Sequence, residues 1–211
     1  MLAPSGEITV QAYRAYCVTR EDCENTLQLL CNFSLYAAQQ ELKNGYITLK
    51  GGHRVGIVGS GIVEGGNIKA LKNISGFNIR ISREVIGAAD KVLRYVMKDR
   101  ENIYNTLIIS PPQCGKTTLL RDMIRQLSSG PSGMKVALVD ERSEIAGSYM
   151  GAAQNDVGLR TDVLDACPKS SGIIMVIRSM SPKIVATDEI GSSADVGVIY
   201  EAMNAGVKII T

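Results

Sequence analysis

The chain has no tryptophan, two phenylalanines and one histidine among 211 residues, yet 45% of it is hydrophobic. Ile, Val, Leu, Met and Ala must therefore fill the interior, the palette of strands buried in a parallel α/β sheet. Long apolar runs are also missing. Stretches such as Ile173 to Ile177 fall far short of the roughly 20 residues a membrane helix needs, so any membrane association is expected to be peripheral. Charge of one sign is not concentrated: 23 Lys and Arg face 21 Asp and Glu, net +2, and the basic residues are spread along the chain. That pattern lacks the clustered footprint of a nucleic-acid binder, and no nucleic acid is expected. Five cysteines, an odd number without metal-type pairing and with no signal peptide ahead of them, point to a reduced, cytoplasmic protein. No internal repeat or low-complexity stretch is present.

The length suits one sizeable core with a smaller companion. The alternating stretch Glu7 to Tyr13 predicts a half-buried strand. A helix follows, opened by the capping box Thr19-Arg20-Glu21-Asp22, carried by Leu27, Leu30, Cys31, Leu35, Ala38 and Leu42, and stopped at Gly45. Between Tyr46 and Ser82, short β-rich pieces (Tyr46 to Leu49, Arg54 to Val58, Asn78 to Ile81) are separated by Gly51-Gly52 and Gly65-Gly66, the turns of an antiparallel arrangement. His53 sits beside the first of these turns and receives no catalytic role. Apolar positions from Val85 to Met97 predict another amphipathic helix over Ser82 to about Asp99. From Asn102 the pattern becomes strand-helix-strand: Thr106 to Ile109, a helix from Lys116, Lys135 to Val139, Ile184 to Thr187, a helix near Ser192 to Asn204 with its own capping box, and Val207 to Ile210. Such alternation implies a mostly parallel sheet with right-handed crossovers.

Ser110-Pro111-Pro112-Gln113-Cys114-Gly115-Lys116-Thr117 matches the phosphate-loop pattern G-x-x-x-x-G-K-[ST] at every fixed position except the first, where Ser replaces Gly. An apolar strand before it and an amphipathic helix after it supply the required context. The loop Ser110 to Thr118, through the backbone N–H groups it carries, and the positive helix end would surround the phosphates of ATP. Lys116 would place a point charge on the β/γ oxygens, and the Thr117 hydroxyl would ligate Mg²⁺.

Lys183-Ile184-Val185-Ala186-Thr187-Asp188-Glu189 delivers two carboxylates at the C-terminal end of a strand, where ligands sit in open α/β sheets. Alone, the pair would read as an acidic cap at a strand exit; with the loop about 70 residues upstream it reads as a Walker B segment. Asp188 would then hold Mg²⁺ through water and Glu189 orient or deprotonate the attacking water. Asp140-Glu141-Arg142-Ser143-Glu144 ends the intervening strand, and if the strands share a sheet, Asp140 and Glu141 reach the same crevice. The catalytic base is thus Glu141 or Glu189, and spacing does not choose. Arg142, Arg160 and Arg178 are candidates for an arginine supplied in trans, with a salt bridge as the competing reading of each.

Several segments resemble the stage III sporulation protein AA family of endospore-forming bacteria over nearly the whole chain: Gly51 to Gly56, Ser110 to Asp122, Val139 to Ile145, Arg160 to Asp165 and Ile177 to Pro182. That family is similar to the hexameric ATPases of type II and type IV secretion and pilus retraction. It shares with them an acidic box like Asp140-Glu141 and an Arg-x-x-x-Pro run like Arg178 to Pro182. The resemblance implies a mother-cell ATPase, peripheral at the cytoplasmic membrane face. Such a protein works as a hexamer with an integral membrane platform of the sporulation channel, powering assembly or transport. Its fold would be a small α+β domain over 1–100 and a RecA-like P-loop core with a mostly parallel sheet over 101–211. Ser110 and Gln113 stand where the family often has Gly, and the chain ends at Thr211, before a His-containing segment of the family, so the core reads as truncated. A nucleotide-gated binding module on a membrane platform, with little or no turnover, is the alternative.

Overall fold

Thr19 opens the first long helix with a reciprocal cap: its hydroxyl accepts from the Asp22 N–H at 3.1 Å, and the Asp22 carboxylate accepts from the Thr19 N–H at 2.7 Å. Both donors would otherwise lack partners at the helix end. The structure, a computed structural model, describes residues 2–3, 6–7, 16–36, 38–129 and 133–211. The chain divides into two compact units, residues 1–47 with 55–78 and residues 48–54 with 79–211. Residues 8–13 of the alternating stretch lie outside the described residues.

The first elements are an antiparallel pair, β1 (Leu2–Ala3) and β2 (Gly6–Glu7), then α1 (Arg20–Leu30) and α2 (Gln39–Lys43). The apolar stripe from Leu27 to Leu42 predicts one helix, and the structure breaks it in two. Asn32 and Phe33 lie at φ of 47° and 58°, where a right-handed helix cannot continue. Asn32 N–H bonds the Leu29 carbonyl and Phe33 N–H the Gln28 carbonyl, the paired bonds of a left-handed helix stop with Asn in the place usually held by Gly. Strands β3 (Tyr46–Leu49), β4 (His53–Glu64) and β5 (Asn67–Arg80) then form a sheet in the order β3-β4-β5. Gly51-Gly52 and Gly65-Gly66 turn the chain between them, all four at positive φ.

The helix expected from Ser82 to Asp99 is confined to one turn, α3 (Leu93–Val96). Gly87 lies at φ 84° and the bonds on either side of it are those of turns. Beyond it, α4 (Lys116–Ser129), α5 (Lys169–Met180) and α6 (Ser193–Asn204) accompany four parallel strands: β6 (Val136–Asp140), β7 (Thr161–Asp165), β8 (Ile184–Thr187) and β9 (Lys208–Ile210). Their order is β7-β6-β8-β9. The predicted strand Thr106 to Ile109 contributes only a parallel bridge at Thr106 beside β9. Thr106 N–H donates to Ile209 at 2.8 Å and Ile108 N–H to Thr211 at 2.7 Å, after which the segment leaves the sheet. Strand β7 and helix α5 are additions that the strand-helix reading lacks.

The pleat sorts this sheet into two cores. Val136, Leu138, Ile184, Ala186 and Ile210 face one way, against Leu120, Met123, Ile124 and Leu127 of α4. Ala137, Val139, Val185 and Ile209 face the other, against Ile173 and Val176 of α5 and Ala202 of α6. Alternate residues of one strand thus serve opposite layers, which is why β6 is buried at every position. The α/β class with a mostly parallel sheet follows from this arrangement.

Gly172 marks where α5 approaches β6 most tightly: a Cβ there would stand 2.8 Å from both Val139 Cγ1 and Cys167 Sγ. Helix propensity favours Ala over Gly by roughly 1 kcal/mol, whereas overpacking a core costs roughly 1–3 kcal/mol. Gly172→Ala should therefore lower stability by about 1 kcal/mol in denaturant unfolding, with part recovered when Cys167→Ala is added. A stabilised Gly172→Ala would show that α5 has room to spare.

Candidate functional site

The loop Ser110 to Thr117 delivers the chain into α4 with two residues at positive φ, Gln113 at 63° and Gly115 at 85°. Ser110 is not one of them, so the Ser found where the pattern has Gly carries no backbone strain of that kind. Gln113 does, at roughly 1–2 kcal/mol for a non-glycine residue. Leu119 N–H bonds the Gly115 carbonyl at 2.9 Å, which makes Gly115 the helix cap and leaves the N–H groups of residues 116–118 without intrahelical acceptors. No acidic side chain occupies this first turn, so the positive end of α4 is uncompensated. The Lys116 ammonium folds back onto the loop, donating to the Ser110 and Pro111 carbonyls, each at 3.2 Å.

A cleft of about 320 Å³ opens beside this turn. Ser110, Lys116 and Thr117 line it on one side and Asp188 and Glu189, at the exit of β8, on the other, with Leu107, Ile109 and Leu120 supplying apolar wall. The exit of β8 is fixed from two sides. Thr187 Oγ1 donates to the Val139 carbonyl of β6 at 3.1 Å, and Thr211 Oγ1 donates to the Asp188 carbonyl at 2.6 Å.

Of the expected residues, Ser110, Lys116, Thr117, Asp188 and Glu189 share this cleft. Pro111, Pro112, Gln113 and Cys114 are exposed and outside its lining, and Thr118 faces a separate small recess with Arg121. Asp140 does not reach the cleft, contrary to the expectation. It is fully buried, with Oδ1 accepting from the Glu144 N–H at 2.9 Å and Oδ2 from the Ile145 and Ala146 N–H groups at 3.0 and 2.8 Å. Its carboxylate folds the segment after β6 instead of facing solvent. Glu141, 42% exposed, lies off the cleft but 3.7 Å from the Lys169 ammonium. Arg142, Arg160 and Arg178 are exposed and line no part of the cleft. Among the described residues none of the three is paired with a carboxylate, although Arg160 donates to the Gly133 carbonyl.

The family described as sporulation stage III, protein AA, matches residues 3–211. The chain belongs to the stage III sporulation protein AA family. The Stage III sporulation protein AA of Bacillus subtilis (strain 168) is 50% identical over 201 residues, 94% of this chain and 65% of that protein. Two solved structures share the fold at 15% identity. The pilus retraction motor PilT with bound ADP has a TM-score of 0.56 over 88% of this chain and 52% of its own. The Legionella pneumophila ATPase DotB has a TM-score of 0.52 over 89% of this chain and 53% of its own. The chain thus spans about two thirds of its Bacillus relative and about half of each solved chain. The fold of this stage III sporulation protein AA family member is the one shared by these two solved structures.

One residue at the site has no counterpart in the sequence reading. Lys169, 4% exposed, places its ammonium 2.8 Å from Asp188 Oδ1 and donates to the Glu189 carbonyl. The contact with Oδ1 is close but not aligned as a hydrogen bond, so that buried oxygen has none. Nearby, Asp195 loses solvation by burial, but the Gly191 and Ser192 N–H groups, the Ser192 hydroxyl and the Lys169 charge hold its carboxyl below the usual range. Burial pushes Asp165 up, against a 2.8 Å bond from Ser143 Oγ.

Burial also pushes Asp140 up, to about 6, because desolvation and the neighbouring Asp165 outweigh its three N–H donors. A raised carboxyl pKa means the folded chain keeps a proton that the unfolded chain releases near 3.8. The contribution of Asp140 to stability is therefore complete below that value and is lost as pH rises to about 6. Carboxyl carbon NMR should show Asp140 titrating near pH 6; a midpoint at or below the ordinary Asp value would show that the N–H donors win.

Proposed function

We propose that this chain binds ATP with Mg²⁺ in the cleft beside Lys116 and hydrolyses it, as the motor ATPase of a sporulation channel. The observation that carries the reading is the convergence on one cleft of an uncompensated helix N-terminus with its lysine and threonine and, opposite, a strand exit bearing two carboxylates. The donor set fits the metal. Thr117 and Asp188 offer hard oxygens to the same cleft, and among the described residues no soft sulfur or imidazole lines it. Mg²⁺ is commonly held in this way, by one or two side chains together with substrate phosphates and water.

Each side chain then has a task. The N–H groups of residues 113–118, which follow the two donor-less prolines, and the α4 dipole hold the phosphates, and Lys116 moves from its two loop carbonyls to the β/γ oxygens. Thr117 and Asp188 hold the metal, which when bound neutralises charge developing on the phosphate oxygens. Glu189, on the cleft wall, orients the attacking water and takes its proton; Glu141, off the cleft, supports this from the Lys169 side. The protein is proposed to be a hexamer at the cytoplasmic, mother-cell face of an integral membrane platform. An arginine from a neighbouring subunit completes each site. Among the described residues Arg142, Arg160 and Arg178 are exposed and outside the lining of this cleft, which leaves them available to a neighbouring subunit. Among the described residues no helix is long and apolar enough to cross a membrane.

Lys116→Ala should weaken ATP binding by roughly a hundredfold or more in calorimetry while leaving the fold intact, since it removes the cation aimed at the β/γ-phosphates. Unchanged affinity would refute the phosphate-loop assignment. Glu189→Gln should keep that affinity and slow turnover by roughly 10²–10⁴, the usual worth of a general base. Full turnover in Glu189→Gln with loss in Glu141→Gln would move the base to the segment after β6. Absence of turnover in the full-length parent would favour the nucleotide-gated binding module.

Mixing subunits tests the ring. Full-length protein lacking Lys116 but keeping its arginines should restore turnover to one lacking Arg142, Arg160 or Arg178, because each supplies what the other lacks. Full turnover by all three arginine variants on their own would exclude a shared site.

A further inference from the structure

Lys169 breaks two local rules. It is the first residue of α5, where free N–H groups disfavour a cation, and no acidic residue stands in that first turn. It is also 4% exposed, although lysine is almost never fully buried unless paired. Its partners come from elsewhere in the chain. Asp188 Oδ1 lies at 2.8 Å and Glu141 Oε2 at 3.7 Å, the Glu189 carbonyl accepts from it, and Asp195 at the start of α6 feels its charge. A single ammonium thus serves the exits of β6 and β8, which are adjacent in the sheet. Without it, Glu141 and Asp188 would stand as like charges at neighbouring strand ends, and the Asp188 oxygen it faces would be buried with no counter-charge.

We propose that Lys169 is the resident counter-ion of this carboxylate cluster. It positions Glu141 and Asp188 and supplies the positive charge a divalent cation would otherwise bring, so that Mg²⁺ enters only together with a triphosphate. The inference rests on the reading of Asp188 as a metal-side carboxylate. Lys169 acts through that carboxylate: by occupying Oδ1 it leaves Oδ2 as the oxygen free for a cation or its water. A cation arriving alone meets the ammonium and is repelled. One arriving with phosphates brings enough negative charge to offset it.

The test is Mn²⁺ binding to the nucleotide-free full-length protein, read from the electron paramagnetic resonance signal of the free ion. The parent should bind Mn²⁺ weakly, and Lys169→Met should bind it roughly tenfold or more tightly, because a cation is needed where the ammonium was. Lys169→Arg, which keeps the charge, should behave as the parent. Adding a non-hydrolysable ATP analogue should raise the affinity of the parent for Mn²⁺ far more than that of Lys169→Met. A folded Lys169→Met with parental Mn²⁺ affinity overturns the proposal, as does a Lys169→Arg that binds like Lys169→Met. Lys169→Gln serves if Lys169→Met does not fold; failure of both to fold, with Lys169→Arg folded, would make the residue a fold-stabilising cation only. If Lys116→Ala leaves ATP affinity unchanged while Lys169→Met still tightens Mn²⁺ binding, the counter-ion role stands and the nucleotide reading falls.

Discussion

A parallel sheet gathers the C-terminal ends of its strands on one edge, and here three neighbouring strands each bring carboxylate there: Asp165 from β7, Asp140 and Glu141 from β6, Asp188 and Glu189 from β8. Asp140 and Asp165 are direct partners in the register. Two like charges about 5 Å apart repel by roughly 3 kcal/mol at an effective dielectric near 20, so the edge is stable only if each charge is met separately. The chain meets them in three ways. Asp140 takes three backbone N–H groups and a raised pKa, Asp165 takes a serine hydroxyl, and Asp188 takes a buried ammonium. The segments after β6 and β8 are shaped by those solutions, and Glu189 is left exposed toward the cleft as a result.

The other wall of the cleft depends on β9, whose end carries Thr211 in place of an acid. Thr211 is bonded on both flanks: its N–H and carbonyl to the Thr106 to Ile108 segment that feeds the loop, its hydroxyl to the Asp188 carbonyl. One strand-width therefore separates the loop from the carboxylates. That spacing leaves room for a ligand between an electropositive helix end and an acidic strand exit, and a loop placed directly beside β8 would close it.

The parts of this site that local sequence shows are those built from contiguous residues. An apolar run followed by Gly115-Lys116-Thr117, and the apolar Ile184 to Thr187 followed by two carboxylates, each carry their geometry in one short stretch. Lys169 is invisible in that way because its partners lie about 20 to 30 residues off in both directions and because its own neighbourhood argues against it. The start of α5 has no side-chain cap, its first residues are Lys and Ser, and Gly172 interrupts the pattern for packing reasons that only the tertiary structure shows. Strand β7 is five residues long and half-buried throughout, too short and too mixed to show a period. The break between α1 and α2 did have a local signal, Asn32 at a left-handed stop, hidden by an apolar stripe that continues across it. Propensity described the helix at 82–99 no better, since one glycine in a left-handed conformation outweighs a correct periodicity.

Arg121 shows the same priority of tertiary over local chemistry, with a mechanical consequence. It lies buried in the middle of α4, and burial lowers its pKa, as carboxylates at Glu84 and Asp140 act in the opposite direction. No carboxylate bonds it directly in the described structure. Its donors reach the Ile145 carbonyl at 2.6 Å, the Glu144 carbonyl at 2.7 Å and the Arg83 carbonyl at 3.3 Å. The planar fork of an arginine suits this use, because it can satisfy several carbonyls at fixed angles while a lysine would reach one direction at a time. The helix that begins with Lys116 is thereby tied to the segment that Asp140 folds, the same segment that begins with Glu141. A displacement of α4 must either carry residues 144–145 with it or strand a buried guanidinium, and stranding a buried charge is the costlier course. The loop at one end of α4 and the carboxylate after β6 are therefore parts of one mechanical body, joined by a residue that touches neither the cleft nor anything in it.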